Sequence, residues 1–229
     1  KSHITVDNYF KIKAFFLDLF FPKFCLGCAR EGTFLCQDCR HLLEILEVSF
    51  PFKNKFLDGL YFSLSYKETE LGKKLIRQFK YQPYLKALAP TLASILIEHF
   101  IKIGKNTNEI WEIAVLIPVP LDKKKFKIRG YNQSEELAKE MAKIIKIPVI
   151  SDFLIKTKYT RPQMELNKEE REKNLLGAFA INHVRNKLSN GTNQNIARFD
   201  VAMFSKVFLI DDVYTTGSTM QECAKVLKE

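Results

Sequence analysis

The sequence predicts an α/β protein, a mostly parallel sheet with flanking helices, preceded by a small four-cysteine module. Three observations predict it. From about residue 57 onward, short apolar runs alternate with amphipathic stretches, the order of a strand–helix layer. Four of the five cysteines crowd into "CLGCAREGTFLCQDC" ahead of that layer. A chain of 229 residues at 46% hydrophobic content suffices for one good core and a small module, not for a second full domain. The expected division is residues 1–50 for the N-terminal segment with the cysteine module and 51–229 for the α/β body.

The stretch "IKAFFLDLFFPKF" (residues 12–24) is too short for a transmembrane helix and carries Asp18. No small-residue cleavage site follows it, so it does not read as a secretory signal, and a cytoplasmic protein is expected. Its part "AFFLDLFF" reads as a short helix covering the core, with a membrane surface or a partner as the alternative resting place.

Cys25, Cys28, Cys36 and Cys39 follow the pattern C-x2-C-x7-C-x2-C. Two thiolate pairs at this spacing can wrap one tetrahedral Zn²⁺, each pair forming a tight knuckle. Gly27 and Gly32 permit the turns. Four thiolates leave no open position, so the expected role is structural. Disulfides are the weaker reading, because nothing else in the chain suggests secretion. His41 is an alternative ligand, but it reads first as the start of a helix, "HLLEILEV". Cys223 falls on a helical face as a small core residue.

The body follows in order. "GLYFSLSY" (residues 59–66) places Leu60, Phe62, Leu64 and Tyr66 on one face, a strand period. "ELGKKLIRQFKY" reads as a helix with Leu71, Leu75, Ile76 and Phe79 inward, and "LKALAPTLASILIEHFIKI" as another with Pro90 near a break or kink. "EIAVLIPVP" is a short apolar run closed by prolines, a buried parallel strand. A basic loop, the helix "SEELAKEMAKII", the short strands "IPVI" and "AFAI", the strand "VFLID" and the helix "TMQECAKVLKE" complete the chain. Residues 182–206 turn polar and asparagine-rich, a surface excursion.

The string "VFLIDDVYTTGST" (residues 207–219) ends a buried strand in two acids and a hydroxyl-rich loop. In open α/β sheets, ligands bind beyond the carboxyl ends of the strands, where Asp211 and Asp212 fall. Backbone N–H groups at a helix start, with the hydroxyls of Thr215, Thr216, Ser218 and Thr219, form a nest for a phosphate, and Gly217 lets the backbone approach closely. The carboxylates suit vicinal ribose hydroxyls, directly or through Mg²⁺. A ribose 5-phosphate fits the combination. Taken alone, an acidic pair is better explained by solvated aspartates before a helix capped by Ser218 or Thr219.

The whole string resembles the phosphoribosyl-diphosphate motif of type I phosphoribosyltransferases: four hydrophobics, two acids, then a threonine–glycine loop. Together with the four cysteines, "RGYNQSEELA" (residues 129–138) and "RPQMELNKEEREKNLLGAF" (residues 161–179), the chain resembles the ComF family of competence proteins from about residue 21 to its end. The family's Arg-Gly-aromatic-Asn-Gln falls on Arg129, Gly130, Tyr131, Asn132 and Gln133, and its Gln-x-x-Leu-x-x-x-x-Arg-x-x-Asn on Gln163, Leu166, Arg171 and Asn174. The resemblance implies a zinc-ribbon-like head on a phosphoribosyltransferase-like domain. It also implies a role in natural transformation, with single-stranded DNA received at the inner face of the membrane and an ATP-driven DNA translocase as partner. Two departures stand out. Residues 182–206 are longer than the family pattern needs, and that pattern adds a strand after the helix in which this chain ends at Glu229.

Lys and Arg total 36 against 26 acids, a formal charge of +10, which points to polyanionic partners or simply to a basic soluble protein. The excess concentrates in the expected loop "LDKKKFKIRGYNQ", with Lys123, Lys124, Lys125, Lys127 and Arg129 interleaved with Phe126 and Tyr131. Lysines tracking phosphates and rings stacking on unpaired bases are what single-stranded DNA binding requires. A solvated lysine-rich loop is the plain alternative. "FPFKNKF" (residues 50–56) repeats the mixture. In a phosphoribosyltransferase, Arg129 and the Gly130 backbone would face the diphosphate. Asn132 reads as a helix cap, with Glu135 completing a capping box. Two functions remain: a DNA-handling protein that binds phosphoribosyl diphosphate or a similar ribose phosphate with Mg²⁺, or an active phosphoribosyltransferase acting on a base or amine. No residue clearly forms a base-recognition hood, which favours the first.

Overall fold

The structure, a computed structural model, describes residues 20, 22–48, 55–66, 68–105, 108–158, 175–182 and 203–229. Residues 12–19 and 21, residues 50–54, the Gln163, Leu166, Arg171 and Asn174 pattern and residues 183–202 of the polar excursion lie outside the described residues. Two compact units divide the chain. One takes the described residues of Lys1–Glu44 and Leu64–Leu75, the other those of Ile45–Ser63 and Ile76–Glu229.

The first unit is built on the cysteine string. An antiparallel bridge joins Phe24 to Glu31, and the turn between them is closed by Ala29 N–H to the Cys25 carbonyl at 2.8 Å. Helix α1 (Gln37–His41) starts at Cys36, whose sulfur accepts from Cys39 N–H. His41 therefore ends a helix rather than starting one. The expected helix "HLLEILEV" does not form, because Leu43 and Ile45 are buried while Leu42 and Glu44 are exposed, a period of two and not 3.6. The first half of helix α2 (Glu70–Lys80) also belongs here.

The second unit is the α/β body. Strand β1 (Ala114–Pro118) is buried along its whole length and pairs in parallel with β4 (Lys206–Ile210), Ala114 opposite Lys206 and Pro118 opposite Ile210. On its other side Leu116 makes a parallel bridge to Val149, so "IPVI" contributes one bridge rather than a full strand. Strands β2 (Leu154–Lys156) and β3 (Phe179–Ile181) pair antiparallel, so "AFAI" is a strand of a two-stranded ribbon and not of the parallel sheet. "GLYFSLSY" forms no ladder. Burial does not alternate along it; Leu60 forms an isolated bridge, and the Ser63 carbonyl accepts from Leu46 N–H at 3.0 Å.

Helix α3 (Ala89–Lys102) carries Pro90 in its first turn, where the missing N–H costs nothing, so the proline opens this helix instead of breaking it. The short helix α4 (Asn108–Trp111) precedes β1. Helix α5 (Lys123–Arg129) and helix α6 (Gln133–Ile145) follow β1, α6 packing on α3 and β1. Helix α7 (Ser218–Lys228) packs on β3 and β4. Val115, Ile117, Val119, Leu154, Phe179 and Cys223 share one core, which accounts for the fifth cysteine. Among the described residues no helix is long and apolar enough to cross a membrane.

Candidate functional site

The parallel register of β1 and β4 sets the site. Val119 N–H donates to the Ile210 carbonyl at 2.9 Å, so both strands end together at their carboxyl edge. β1 hands the chain to Asp122 and α5. β4 hands it to Asp211 and Asp212.

The two carboxylates are held differently. Asp211 Oδ1 accepts from Ser134 Oγ at 3.0 Å and from Asp212 N–H at 2.9 Å. Burial, and then the neighbouring Asp212, push Asp211 up to about 7, against the opposing pull of Lys80 and of those two hydrogen bonds. Asp212 Oδ1 takes the Lys80 ammonium at 2.8 Å, and its side chain is only 6% exposed. Its other oxygen, Oδ2, is buried with no hydrogen-bond partner. A buried carboxylate oxygen without a donor is costly. Burial lowers Lys80, but Asp212 and Asp211 more than offset it, so its net shift is upward and it stays charged.

Beyond the acids the chain bends through Thr215, Thr216 and Gly217 into α7. Gly217 takes a left-handed φ of 77° as the cap of that helix, a conformation that L side chains rarely adopt. Any Cβ there would also clash with the Tyr214 hydroxyl. Thr216 Oγ1 and Ser218 Oγ share a hydrogen bond of 2.9 Å, Thr215 is exposed, and Thr219 lies in the first turn of α7. The helix is thus begun by the backbone of Gly217 and not by a Ser218 or Thr219 side chain.

The basic segment is a helix, not a loop. Asp122 Oδ1 accepts from Lys124 N–H at 2.9 Å and from Lys125 N–H at 3.3 Å, and Gly130 ends the helix in a left-handed cap at φ 79°. None of its residues is buried. Lys123, Lys124 and Lys127 are exposed, with Phe126 at 47% and Ile128 at 66%. Lys125 is half-buried. Burial lowers it first, then the nearby charges of Arg129 and Lys80. Lys156 is lowered by burial and then by Lys125, so cations from α2, α5 and β2 lie close enough to repel one another. Arg129 donates to Gln133 Oε1 at 2.9 Å and lies over the Tyr81 ring.

Tyr131 corrects the sequence reading. It is 4% exposed, packed on Phe79, and its hydroxyl donates to the Phe79 carbonyl at 2.5 Å, with burial raising the phenol to about 12. It offers no face to a base. Gln133 Nε2 reaches the same carbonyl at 3.4 Å. Asn132 donates to the Val119 carbonyl at 3.0 Å and caps α6 by accepting from Ser134 N–H, while Glu135 pairs forward with Lys139. Sequence reasoning missed Lys80 and Ser134. Ser134 directly follows the "RGYNQ" string, a positional signal. Lys80 gives none, being 132 residues from its partner.

The four cysteines also come together. Their sulfurs lie within 4.8 Å of one another, and a metal ion could sit among them. A tetrahedral ion bound at about 2.3 Å would set neighbouring sulfurs roughly 3.8 Å apart, and Cys28 Sγ and Cys36 Sγ stand at 3.5 Å. Burial raises Cys25, but the backbone N–H groups of Cys36, Cys28 and Gly27 outweigh it and hold the thiol at about 6. Cys39 is pushed up to about 12, first by its hydrogen bond to Cys36. Gly27 makes room: a Cβ there would sit 2.6 Å from Cys39 Sγ. His41 is not in the cluster.

An α/β body with a buried acid pair at the sheet edge, and a cysteine cluster able to hold a metal, defines the class of this protein. It is 30% identical over 209 residues to Competence protein F of Haemophilus influenzae, a match covering 91% of this chain and 80% of that protein. The chain belongs to the Competence protein F family. It is also 28% identical over 154 residues to the DNA utilization protein YhgH of Shigella flexneri and of Escherichia coli O157:H7, over 67% of this chain and 59% of each relative. No protein-family model matches the chain. No solved structure matches it either.

Proposed function

We propose that this protein handles single-stranded DNA during DNA uptake, and that its acid pair and residues 215–219 bind phosphoribosyl diphosphate, or a similar ribose phosphate, with Mg²⁺. The body is read as type I phosphoribosyltransferase-like. The observation that carries the ligand is Asp212 Oδ2, a buried acceptor without a donor at the strand edge that also feeds the Gly217 turn. Hard carboxylate oxygens suit Mg²⁺, and Asp211 and Asp212 are the residues that would hold it or the ribose hydroxyls. Bound there with the ligand, Mg²⁺ would neutralise diphosphate charge. The DNA role is supported by the names of the relatives and by the uncovered basic face of α5. The cysteine cluster is read as a closed structural Zn²⁺ site. In this reading the strand passes to an ATP-driven translocase at the membrane.

The test is calorimetric titration of the zinc-loaded protein with phosphoribosyl diphosphate and Mg²⁺. Replacing both Asp211 and Asp212 by alanine should weaken binding strongly with the fold retained. Unchanged affinity in that double variant refutes the assignment. Diphosphate release on adding bases or amines would instead favour an active transferase.

A further inference from the structure

We propose that Lys80 is a tethered counter-ion that holds Asp212 in place of a divalent cation, so that metal enters this site only together with a phosphate-bearing ligand. This deepens the reading of the acid pair as a ribose-phosphate and Mg²⁺ site, and rests on it.

The geometry supplies the argument. Asp212 has two oxygens and one is taken: Lys80 Nζ sits 2.8 Å from Oδ1, while Oδ2 is buried and unpartnered. Asp211 has one oxygen committed to Ser134 Oγ and to Asp212 N–H. A divalent ion arriving alone must therefore either displace the ammonium or accept a cation at its side. In a pocket where the Asp212 side chain is 6% exposed, water screens that repulsion poorly. Lys125 and Lys156 add further positive charge nearby. A diphosphate changes the balance, because it brings acceptors for the ammonium and charge for the metal in one step. Lys80 can then move from Asp212 to a phosphate oxygen and leave the carboxylate open.

The position of Lys80 is built into the fold. The carbonyl before it, that of Phe79, is clamped by Tyr131 and Gln133. The ring after it, Tyr81, lies under Arg129. Both sides of the lysine are thus fixed by the "RGYNQ" string.

The experiment is Mn²⁺ titration of the full chain, zinc-loaded and free of phosphate, read by the loss of the free-ion electron-spin-resonance signal. Wild type should bind Mn²⁺ weakly. Lys80→Met, and independently Lys80→Gln, should bind at least about tenfold more tightly, the low end of what one neighbouring charge does to a carboxylate. Adding Asp212→Asn to Lys80→Met should abolish the gain. A gain of binding cannot come from a misfolded chain that has lost the site. Tight Mn²⁺ binding by wild type alone, equal binding by wild type and both variants, or a gain that survives Asp212→Asn overturns the proposal. A parallel titration of wild type with phosphoribosyl diphosphate and Mg²⁺ separates the two readings. Silence there with the Mn²⁺ gain present sinks the ribose-phosphate assignment and spares Lys80. Binding there without the gain does the reverse.

Discussion

Tyr131 donates its hydroxyl to the backbone carbonyl of Phe79, 52 residues earlier in the chain, at 2.5 Å. One bond thus ties the residue before Lys80 to the junction between α5 and α6. Asn132 on the Val119 carbonyl, and Ser134 just after the string on Asp211, complete the frame. The string that looks like a basic DNA-contacting loop is, in its second half, the frame of the acid pair.

Tyr131→Phe removes that donor and leaves a buried carbonyl with only the longer bond from Gln133. The expected loss is about 1 kcal/mol, a fall of roughly 2–4 °C in Tm for a chain of this size. Single-stranded DNA affinity should not change, because the ring is buried. Thermal melts and DNA titrations on the same preparation check both; an unchanged Tm with lost DNA binding would restore Tyr131 as a stacking residue.

Asp211 makes stability depend on pH. Its folded pKa, about 7, stands above its ordinary value of 3.8. Between those two values the native state keeps a proton that the unfolded chain has lost. Stability therefore falls as pH rises through that window and levels off above it. Asp211→Asn cannot ionise and should flatten this component. Denaturant unfolding of zinc-loaded protein without Mg²⁺, at a series of pH values, measures it. Parallel curves for wild type and variant would show that Asp211 is not the group responsible.

The cysteine cluster should hold one Zn²⁺, so elemental analysis of purified protein should find one ion per chain, and Cys36→Ser should lose it. Gly27→Ala is the sharper test. Its methyl would press on Cys39 Sγ at 2.6 Å, so the knuckle must open while all four sulfurs remain. Zinc affinity should drop by about tenfold or more, as when the support of a ligand is disturbed. Competition with a chromogenic chelator reads it. Full affinity in Gly27→Ala would mean that the knuckle closes otherwise than described.

How much of this was legible in the sequence varies with the range of the interaction. The β4 strand, the Gly217 turn and α7 were readable because apolar run, acids and glycine are adjacent in the chain. So was the cysteine cluster, whose spacing is local. Helix α5 was not, since a lysine run with no buried face has no helical period; its caps, Asp122 and Gly130, impose it. The antiparallel pairing of β2 with β3 was also hidden, because a three-residue strand carries no sign of its partner's direction. Lys80 and Asp212 meet across 132 residues, and nothing near either one announces the other.

Single-stranded DNA should bind the exposed face of α5. This capped helix has no buried residue, and it presents Phe126 and Ile128 among Lys123, Lys124 and Lys127. Lys125 is excluded from this surface, because it is half-buried among the cations near the acid pair. Lysines that neutralise phosphates release counterions, so affinity should fall with salt, with a slope of about −0.7 per phosphate contacted. Stacking does not depend on counterions. The two kinds of variant should therefore fail differently. Lys123→Ala combined with Lys124→Ala and Lys127→Ala should flatten the salt slope by roughly two. Phe126→Ala should cost about 1–3 kcal/mol at every salt concentration and leave the slope unchanged. Fluorescence anisotropy of a labelled oligonucleotide at several salt concentrations measures both. If the triple variant keeps the full slope, the strand runs elsewhere on this protein. If Phe126→Ala changes only the slope, the ring does not stack, and the helix is a purely electrostatic surface.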